Sequence, residues 1–300
     1  MITTLSILIP TFNRDCTRLV ESLKKQADRI CGLQYEVLVV DDASTDKQAK
    51  EANRVVAEWA NCSVEELPRN IGRASIRNYL ARKAQYAYLL YLDSDVQLVS
   101  SDYLMKYLQC DKKQIVYGGV CILPSADLAV TNLRYQYELS CEAKFAVEER
   151  SKSPYQGFRT SNFLVERSLM LRQMFDERIK HYGYEDVLFG RQLKMANIPV
   201  SHIDNPVAVD DFEPNDVFLK KTDEGIHTLL SLSEEMSDYT NILIWVRRME
   251  HLHVDGILLA IFKGLLSVIK HNLLGTHPSV RVYNFYRLCS FLNLKKKMNK

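Results

Sequence analysis

The feature that most constrains the fold is a regular alternation of β-rich runs with helical patterns over the first hundred residues. Apolar and β-branched runs typical of buried strands occupy 5–10, 35–40, 63–68 and 87–92. Helical spacing of apolar residues recurs in the three segments between them, 15–30, 46–60 and 73–84. Because strands joined through helices normally pair in parallel, this alternation predicts an α/β fold: a mainly parallel, Rossmann-like central sheet flanked by helices.

Beyond about residue 100 the alternation fades, and the individual elements have to be predicted one at a time. We expect a strand over 115–123, helices over 133–150, 184–196 and 215–236, and a strand that turns into a helix over 160–169. Nothing in this part of the sequence marks a boundary, so residues 1–250 are interpreted as one domain. Residues 251–300 form a basic helical C-terminal extension.

Polar clusters follow three of the predicted strands. "PTFNR" comes after the first strand, "DDASTD" after the second and "DSD" after the fourth. Ligands of parallel sheets bind at the carboxyl ends of the strands. The three clusters therefore predict a ligand site at one rim of the sheet.

Asp93 and Asp95 are the first candidate ligands at this rim. Residues two apart on an extended chain point to the same side, so both carboxylates could face one ligand. Hard oxygen donors of this kind suit Mg²⁺ or Mn²⁺. The alternative is a polar turn in which Ser94 or Asp95 caps the next segment of the chain.

Asp41 and Asp42 form the second cluster, where a carboxylate could accept a hydrogen bond from the imide of a nucleobase. A tight turn with a cap on the next helix, from Ser44, Thr45 or Asp46, is the competing interpretation. It does not explain two adjacent acids.

The segment 70–78 places Gly72 before a helix that carries Arg73 and Arg77 one turn apart. A helix start with arginines attracts anions, although a solvated basic helix face is the commoner fate of such a pair.

The stretch "GYED" at 183–186 opens the helical stripe Asp186, Phe189, Leu193 and Ala196, which should turn the Asp186 carboxylate inward. The alternative is an acidic helix start that complements the macrodipole. In either case the helix start is expected to lower the pKa of Asp186.

In their order along the chain, these stretches resemble inverting nucleotide-sugar glycosyltransferases of the GT-A fold, the large family 2 that builds bacterial surface polysaccharides. The resemblance spans about 1–230, and its specificity lies in the ordered set. The matching stretches are "SILIPTFNR", "VLVVDDASTD", "NIGRASIRN", "YLLYLDSDV", "TSNFLVERS" and "GYEDVLFGRQL".

This resemblance implies the role of each candidate residue. The residues implied to bind substrate are Pro10, Phe12 and Asp42 around uracil, Arg77 near the base or diphosphate and Asp93 near the ribose or sugar, together with Arg73 and Ser94. Asp95 would ligate the Mn²⁺ or Mg²⁺ cofactor. The residues implied in catalysis are Asp186 as general base, with Glu185 and Asn162 beside the acceptor or donor sugar.

The implied activity is metal-dependent, inverting transfer of a sugar from a nucleoside diphosphate, with UDP favoured, to a glycan or lipid-linked acceptor. Residues 1–99 would then form the nucleotide-binding half and residues 100–250 the acceptor half. Relatives often carry a histidine near the metal after the acceptor helix, and here only His202, Asp210 and Asp211 could substitute. An inactive binding subunit is therefore one alternative. A sugar-nucleotide nucleotidyltransferase is another, disfavoured because "PTFNRD" has no glycine.

Charge is uneven along the chain. The net charge is only +2, but residues 251–300 carry eight basic residues and one acid. Aromatics interleaved with these lysines and arginines suit an anionic membrane surface, and packing on a second subunit as a homodimer is the alternative. Nucleic acid is not expected as a partner, because no RNA-binding signature accompanies the basic residues.

The seven cysteines form no C-x-x-C pair, which predicts reduced thiols, with Cys16 and Cys121 packed as small apolar residues. The sequence contains no run of about 20 uninterrupted apolar residues, so no transmembrane helix is expected. The N-terminus reads as a strand, not a secretion signal. We therefore expect a cytoplasmic protein that could lie at the inner face of the membrane.

Overall fold

The computed structural model describes residues 1–110, 115–209 and 211–298, which form two compact units. The first, here called the sheet unit, comprises Met1–Leu123, Ala143–Lys180 and Glu185–Asp211. The second, the helical unit, comprises Pro124–Glu142, His181–Tyr184 and Phe212–Lys300. The predicted boundary at 250 falls inside a helix of the helical unit.

All the strands that the described residues form lie in the sheet unit. They are β1 (Thr4–Thr11), β2 (Gln34–Asp41), β3 (Cys62–Glu66), β4 (Tyr88–Leu92), β5 (Val96–Leu98), β6 (Ile115–Tyr117), β7 (Val120–Ile122), β8 (Asn162–Glu166), β9 (Val200–His202) and β10 (Val207–Val209). The α-helices of this unit are α1 (Thr17–Ala27), α2 (Lys47–Arg54), α3 (Arg73–Lys83), α4 (Tyr103–Leu108), α7 (Val147–Ser151), α8 (Arg167–Arg172) and α9 (Glu185–Met195). The two short helices between α4 and α7, α5 (Leu128–Thr131) and α6 (Leu133–Cys141), belong to the helical unit.

The main sheet has seven strands in the order β3-β2-β1-β4-β8-β6-β9. Its first four strands are parallel to one another, while β8 runs antiparallel to both β4 and β6. A smaller sheet joins the strands β5, β10 and β7. The predicted α/β class with a mainly parallel sheet and flanking helices is confirmed.

Strand β1 is buried on both faces, which explains its nearly unbroken apolar sequence. Ile7 and Ile9 point to one face and share a core with Leu23 of α1. Leu8 points to the other face, where it shares a core with Leu80 of α3. The sheet therefore lies between two helical layers, which leaves its strand ends as the accessible rim.

Two predicted elements are interrupted. The segment 115–123 forms β6 and β7, which belong to different sheets, because the chain changes direction at Gly118 and Gly119. Gly119 has φ 96°, and a side chain at Gly118 would collide with Tyr107. The predicted helix 133–150 is likewise split into α6, a 3₁₀ turn over Glu142–Lys144, and α7.

The cap of the second helix is one of the three candidate residues. Asp46, not Ser44 or Thr45, caps α2 by accepting hydrogen bonds from the backbone N–H groups of Gln48 and Ala49. The Ser44 hydroxyl instead accepts from the backbone N–H of Asn13. The "DDAST" loop is therefore fastened to the end of β1.

The seven cysteines are all free thiols. Cys16 is buried, as predicted, and its thiol donates to Asn53 Oδ1 at 3.3 Å. Burial raises the pKa of Cys16 to about 12, so the thiol stays protonated at neutral pH. Cys121 is half-buried on β7.

The helical unit contains α5 and α6 together with α10 (Asn215–Ser231), α11 (Asn241–His251), α12 (Asp255–Leu274) and α13 (Val280–Met298). Its core joins Phe218 of α10, Phe262 of α12 and Tyr283 of α13. The predicted helices of the extension are present, whereas α11 is not predicted by the sequence patterns. Within the described ranges, α12 alone is long and apolar enough to cross a bilayer, by length and composition only.

Candidate active site

The polar clusters lie at one rim of the main sheet because β1, β2 and β4 are parallel neighbours. Thr11 at the end of β1 pairs in register with Asp41 at the end of β2. The backbone N–H of Asp93, just after β4, donates to the carbonyl of Ser161 at 3.2 Å. The predicted meeting of these clusters is thus observed.

The buried carboxylate of Asp42 holds the loop before α3 through hydrogen bonds. Its two carboxylate oxygens accept one backbone N–H each, from Ile71 at 2.7 Å and from Gly72 at 3.0 Å. Burial raises the pKa of Asp42 even though these two N–H groups act to lower it. A carboxylate offers about four acceptor positions, so capacity for a further donor remains.

Gly72 allows close approach of two backbones at the start of α3. Its φ is 87°, and a Cβ there would lie 3.2 Å from the carbonyl oxygen of Lys180. Only glycine combines this left-handed conformation with such a short approach. The position of α3, and with it the position of its arginines, depends on this contact.

Arg77 is a buried cation between two carboxylates. Only 2% of its side chain is exposed; Nη2 donates to Asp93 Oδ1 at 2.5 Å, and Nη1 lies 3.7 Å from Glu185 Oε1. The guanidinium carbon lies 5.9 Å from the ring centroid of Phe175. Almost none of the Arg77 surface is exposed, and its predicted contact with a base or diphosphate stays a prediction.

Arg73 differs from Arg77 because its side chain is 47% exposed. Its Nη1 lies 3.6 Å from Glu185 Oε1, so Glu185 is flanked by both arginines. Glu185 is buried at the first position of α9. Of the two arginines, Arg73 is the one with surface available for an anionic ligand.

Asp186 is half-buried, and its Oδ1 accepts the backbone N–H of Val187 at 2.7 Å. Burial, and next the Glu185 carboxylate, raise its pKa to about 6, although Arg159 and Arg77 act to lower it. The predicted lowering is therefore wrong. The effect of a helix terminus, typically about 0.3–1 kcal/mol, is outweighed by loss of solvent and by a like charge.

Asn162 is wholly buried, and the protein uses its entire side chain. Its Oδ1 accepts from the hydroxyls of Tyr103 at 2.6 Å and Tyr107 at 2.7 Å. Its Nδ2 donates to the carbonyls of Gly119 at 2.7 Å and Asn205 at 2.9 Å. This side chain therefore supports the bend between β6 and β7, and its predicted contact with a sugar stays a prediction.

The remaining candidate residues lie at the rim, and their side chains are at least partly exposed to solvent. Phe12 is 49% exposed just beyond β1, and Pro10 is half-buried near the end of that strand. Ser94 and Asp95 are half-buried in the turn after β4. These positions suit an aromatic base and polar groups of a ligand.

The family model "Glycosyl transferase family 2" matches residues 6–167, slightly more than half of the chain. The chain belongs to this glycosyltransferase family. The matched segment ends before Glu185 and Asp186, so it includes the ends of β1, β2 and β4 and excludes the start of α9.

Two curated relatives of this family 2 chain match it over a limited length. An uncharacterized glycosyltransferase of Haemophilus influenzae is 31% identical over 107 residues, which are 35% of this chain and 40% of the relative. A teichoic acid poly(glycerol phosphate) polymerase of Staphylococcus epidermidis is 27% identical over 113 residues, 36% of this chain and 15% of that protein. The match therefore spans less than half the length of either relative.

Solved structures resemble nearly the whole chain. A mannosyltransferase of Pyrobaculum calidifontis, determined with GDP-mannose and Mn²⁺, aligns with TM-score 0.56 and 16% identity, covering 98% of this chain and 86% of that one. S. aureus TarS 1–349, determined with UDP-GlcNAc, aligns with TM-score 0.51 and 15% identity, covering 98% and 92%. At this identity the likeness establishes the GT-A fold.

The family implies a divalent cation, which the donors at the rim can be tested against. No group of three or more His, Cys, Asp or Glu side chains that could hold a metal occurs in the described part of the chain. Mg²⁺ and Mn²⁺ sites often use one or two carboxylates and take their other ligands from water and substrate phosphates. Asp95, in the turn after β4, fits a cation that takes its other ligands from water and phosphate oxygens.

His202 does not supply a further metal ligand in this arrangement. Its Nε2 donates to the carbonyl of Pro154 at 2.9 Å, and its Nδ1 lies 3.0 Å from Arg150 Nη1. Burial lowers the pKa of His202 to about 4, so the ring is neutral at pH 7. Asp211 is ion-paired with Arg14, and Asp210 lies outside the described residues.

The sequence analysis missed Arg159 and Ser161. Arg159 is one of the two arginines whose charge lowers the pKa of Asp186. The carbonyl of Ser161 accepts the backbone N–H of Asp93, and its buried hydroxyl oxygen has no hydrogen-bond partner in the protein. Arg159 directly precedes the matching stretch 160–168 and Ser161 lies inside it, but neither belongs to a periodic pattern that would have marked it as a site residue.

Proposed function

We propose that this family 2 chain is an inverting glycosyltransferase that moves one sugar from a nucleoside diphosphate, with UDP favoured, to a glycan or lipid-linked acceptor. The observation that carries this proposal is the ionic chain Asp93–Arg77–Glu185. It joins the donor rim to the start of α9, where the adjacent Asp186 has a raised pKa. This arrangement supports a single site in the sheet unit for the two carboxylate roles that such a transfer requires.

The donor would be held at the rim of β1, β2 and β4. The exposed ring of Phe12 offers a stacking surface for the base, beside Pro10, and Asp42 has acceptor capacity for an imide N–H. Arg73 is the exposed cation available to the diphosphate. Asp93 and Ser94 follow β4, where the ribose or sugar would lie.

Asp95 would hold the Mn²⁺ or Mg²⁺ ion together with the donor phosphates. When bound, the cation would neutralise the negative charge that develops on the leaving diphosphate. The mannosyltransferase structure with the same fold contains Mn²⁺ and a GDP-sugar, which supports this assignment.

Asp186 would act as the general base. As the acceptor oxygen forms its bond to the anomeric carbon, its proton passes to the Asp186 carboxylate, and the bond from that carbon to the diphosphate oxygen breaks with its electron pair. A pKa of about 6 leaves Asp186 ionised at neutral pH and makes it a stronger base than an ordinary aspartate. One displacement of this kind inverts the sugar configuration.

A surface polymer is the favoured class of acceptor. One curated relative is a teichoic acid polymerase, and the donor in one similar structure is UDP-GlcNAc. The alternative of an inactive binding subunit predicts nucleotide binding without turnover, and a nucleotidyltransferase predicts pyrophosphate release. A single product assay separates the three.

We also propose that α12 and α13 contact an anionic membrane. Ile257, Ile261, Leu265 and Val268 form one exposed apolar stripe of α12, each at least 47% exposed. Only 22% of the candidate spanning window is buried, unlike the core helix of a soluble protein. The basic residues of 251–300 supply the complementary charge for anionic lipid.

Cosedimentation tests the membrane proposal. The full chain should pellet with vesicles of phosphatidylglycerol and phosphatidylcholine, and less with phosphatidylcholine alone. Ile261→Asp with Val268→Asp should abolish pelleting. Dimerisation without vesicle binding, lost in the same variant, would instead assign the stripe to a second copy.

The test of the enzymatic proposal is a donor screen of the purified chain. UDP-sugars, with GDP- and ADP-sugars for comparison, are added with Mn²⁺ or Mg²⁺, and the release of nucleoside diphosphate is measured with and without candidate glycan and lipid-linked acceptors. Acceptor-dependent release with an inverted linkage is expected. Tight nucleotide binding with no transfer to any acceptor would favour the inactive binding subunit.

A further inference from the structure

The backbone immediately before the proposed base is left-handed at two successive residues. Residues 181–184, here called the linker segment, belong to the helical unit and are followed directly by Glu185 and Asp186. Gly183 has φ 93° and Tyr184 has φ 67°. For a residue with a Cβ, this conformation costs roughly 1–2 kcal/mol, so other contacts must hold Tyr184.

Helix α10 holds the first part of the linker segment through its backbone. The N–H of Tyr182 donates to Glu224 Oε1 at 3.0 Å, and the carbonyl of Tyr182 accepts from Thr228 Oγ1 at 3.0 Å. A Cβ on Gly183 would lie 3.4 Å from the Cα of Gly225. The backbone of the linker segment therefore lies directly against α10.

Helix α13 holds the second part through one arginine. The Arg287 side chain is hydrogen-bonded to the side chain of Tyr184, and its Nη1 donates to the hydroxyl of Tyr137 at 3.0 Å. The guanidinium carbon lies 5.4 Å from the ring centroid of Tyr137 and 5.5 Å from that of Tyr283. Two aromatic rings and two hydroxyl partners thus fix the orientation of Arg287.

Tyr283 is in turn hydrogen-bonded to α10. Its hydroxyl lies 2.9 Å from Thr222 Oγ1, and both side chains are buried. Helices α10 and α13 therefore hold the linker segment from two sides through a continuous set of contacts inside the helical unit. Tyr184 is at the end of this set, two residues before Asp186.

We infer that Arg287 is a positioning residue for the transfer reaction: by fixing Tyr184 in its left-handed conformation, it sets the direction in which the chain enters α9 and so the position of the Asp186 carboxylate. This inference rests on the proposed role of Asp186 as base. Misplacement of a reacting group by about 1 Å can cost as much as 100-fold in rate, which makes such a device consequential. It gives the C-terminal extension a part in catalysis that is independent of membrane contact.

Steady-state kinetics of the full chain test the inference. Arg287→Met is expected to lower kcat about tenfold or more, with the donor KM and the UDP dissociation constant within twofold of wild type. Tyr184→Phe, which keeps the ring and removes the hydroxyl, should lower kcat in the same direction. The double variant should be no slower than Arg287→Met alone, because both changes break one contact. Arg29→Met, at an exposed arginine of the sheet unit, is the control and should retain wild-type kcat.

Hydrogen–deuterium exchange gives a readout that does not depend on turnover. Exchange over 181–190 should rise in Arg287→Met and in Tyr184→Phe, while exchange over 70–80 stays unchanged. If Arg287→Met does not fold, Tyr184→Phe decides by the same two measurements. Wild-type kcat and unchanged exchange in folded variants, or a donor KM that rises as much as kcat falls, would overturn the inference. Increased exchange in a protein whose wild type transfers no sugar would instead refute the proposed function and retain the positioning contact.

Discussion

Arg77 Nη2 lies 2.5 Å from Asp93 Oδ1, and the guanidinium that makes this bond is almost completely buried. The same side chain lies 3.7 Å from Glu185 on α9. A single buried cation therefore connects the turn after β4 with the helix that carries the proposed base. The proposed donor site and the proposed base are thus linked by an ion pair between residues that are distant in the sequence.

Replacing Arg77 should destabilise the fold more than it weakens nucleotide contacts. Arg77→Met removes the buried cation that pairs with Asp93 and leaves the buried Glu185 carboxylate with Arg73 alone. Breaking a buried pair on one side typically costs about 3–5 kcal/mol. Urea unfolding should show a loss of about 3 kcal/mol in the free energy of unfolding. Arg73→Met, whose side chain is half-exposed, is the control and should cost about 1 kcal/mol or less. Equal losses in both variants would contradict the structural role.

Asp186→Asn should remove transfer and spare donor binding. An amide cannot take the proton of the acceptor hydroxyl, so kcat is expected to fall at least about 100-fold. Calorimetric titration with UDP should give a dissociation constant within about threefold of wild type, less than 1 kcal/mol. Full transfer by this variant would place the base at another residue.

The same carboxyl group should give the rate a defined pH dependence. Because Asp186 has a pKa of about 6, kcat/KM should be constant above pH 7 and should fall about tenfold per pH unit well below pH 6. Initial rates between pH 4.5 and 8.5, measured at saturating cation, test this. An acid limb near pH 4 would indicate an unshifted carboxylate and contradict the assignment.

Stability should show the opposite sign. The folded-state pKa of Asp186 lies above its ordinary value, so its charged form is disfavoured in the folded protein, and the resulting penalty grows as pH rises from about 4 to above 6. At pH 7.5 the free energy of unfolding of Asp186→Asn should therefore exceed that of wild type by an amount on the order of 1 kcal/mol, and the variant should melt at a higher temperature. The difference should vanish near pH 4, and a destabilised variant at pH 7.5 would count against a raised pKa.

Asp95→Ala and Asp42→Ala should separate the cation from the base pocket. Asp95→Ala should abolish the increase in UDP affinity that Mn²⁺ produces, because that side chain is the proposed protein ligand. Asp42→Ala should weaken uridine nucleotides with or without the cation. It should also lower the melting temperature, since the N–H groups of Ile71 and Gly72 lose their acceptors. Mn²⁺-enhanced UDP binding by Asp95→Ala would reassign the metal site.

The sequence by itself determined the sheet and its rim. Continuous apolar strands separated by helical patterns allow few packings, and parallel pairing places Asp42, Asp93 and Asp95 at the same strand ends whatever the later details. The tertiary structure alone decided what each side chain does there. Arg77 became a buried ion-pair partner, Asn162 became a support for the bend at Gly118, and the pKa of Asp186 rose instead of falling. Burial and charge neighbours come from residues distant in the chain, and local spacing carries no record of them.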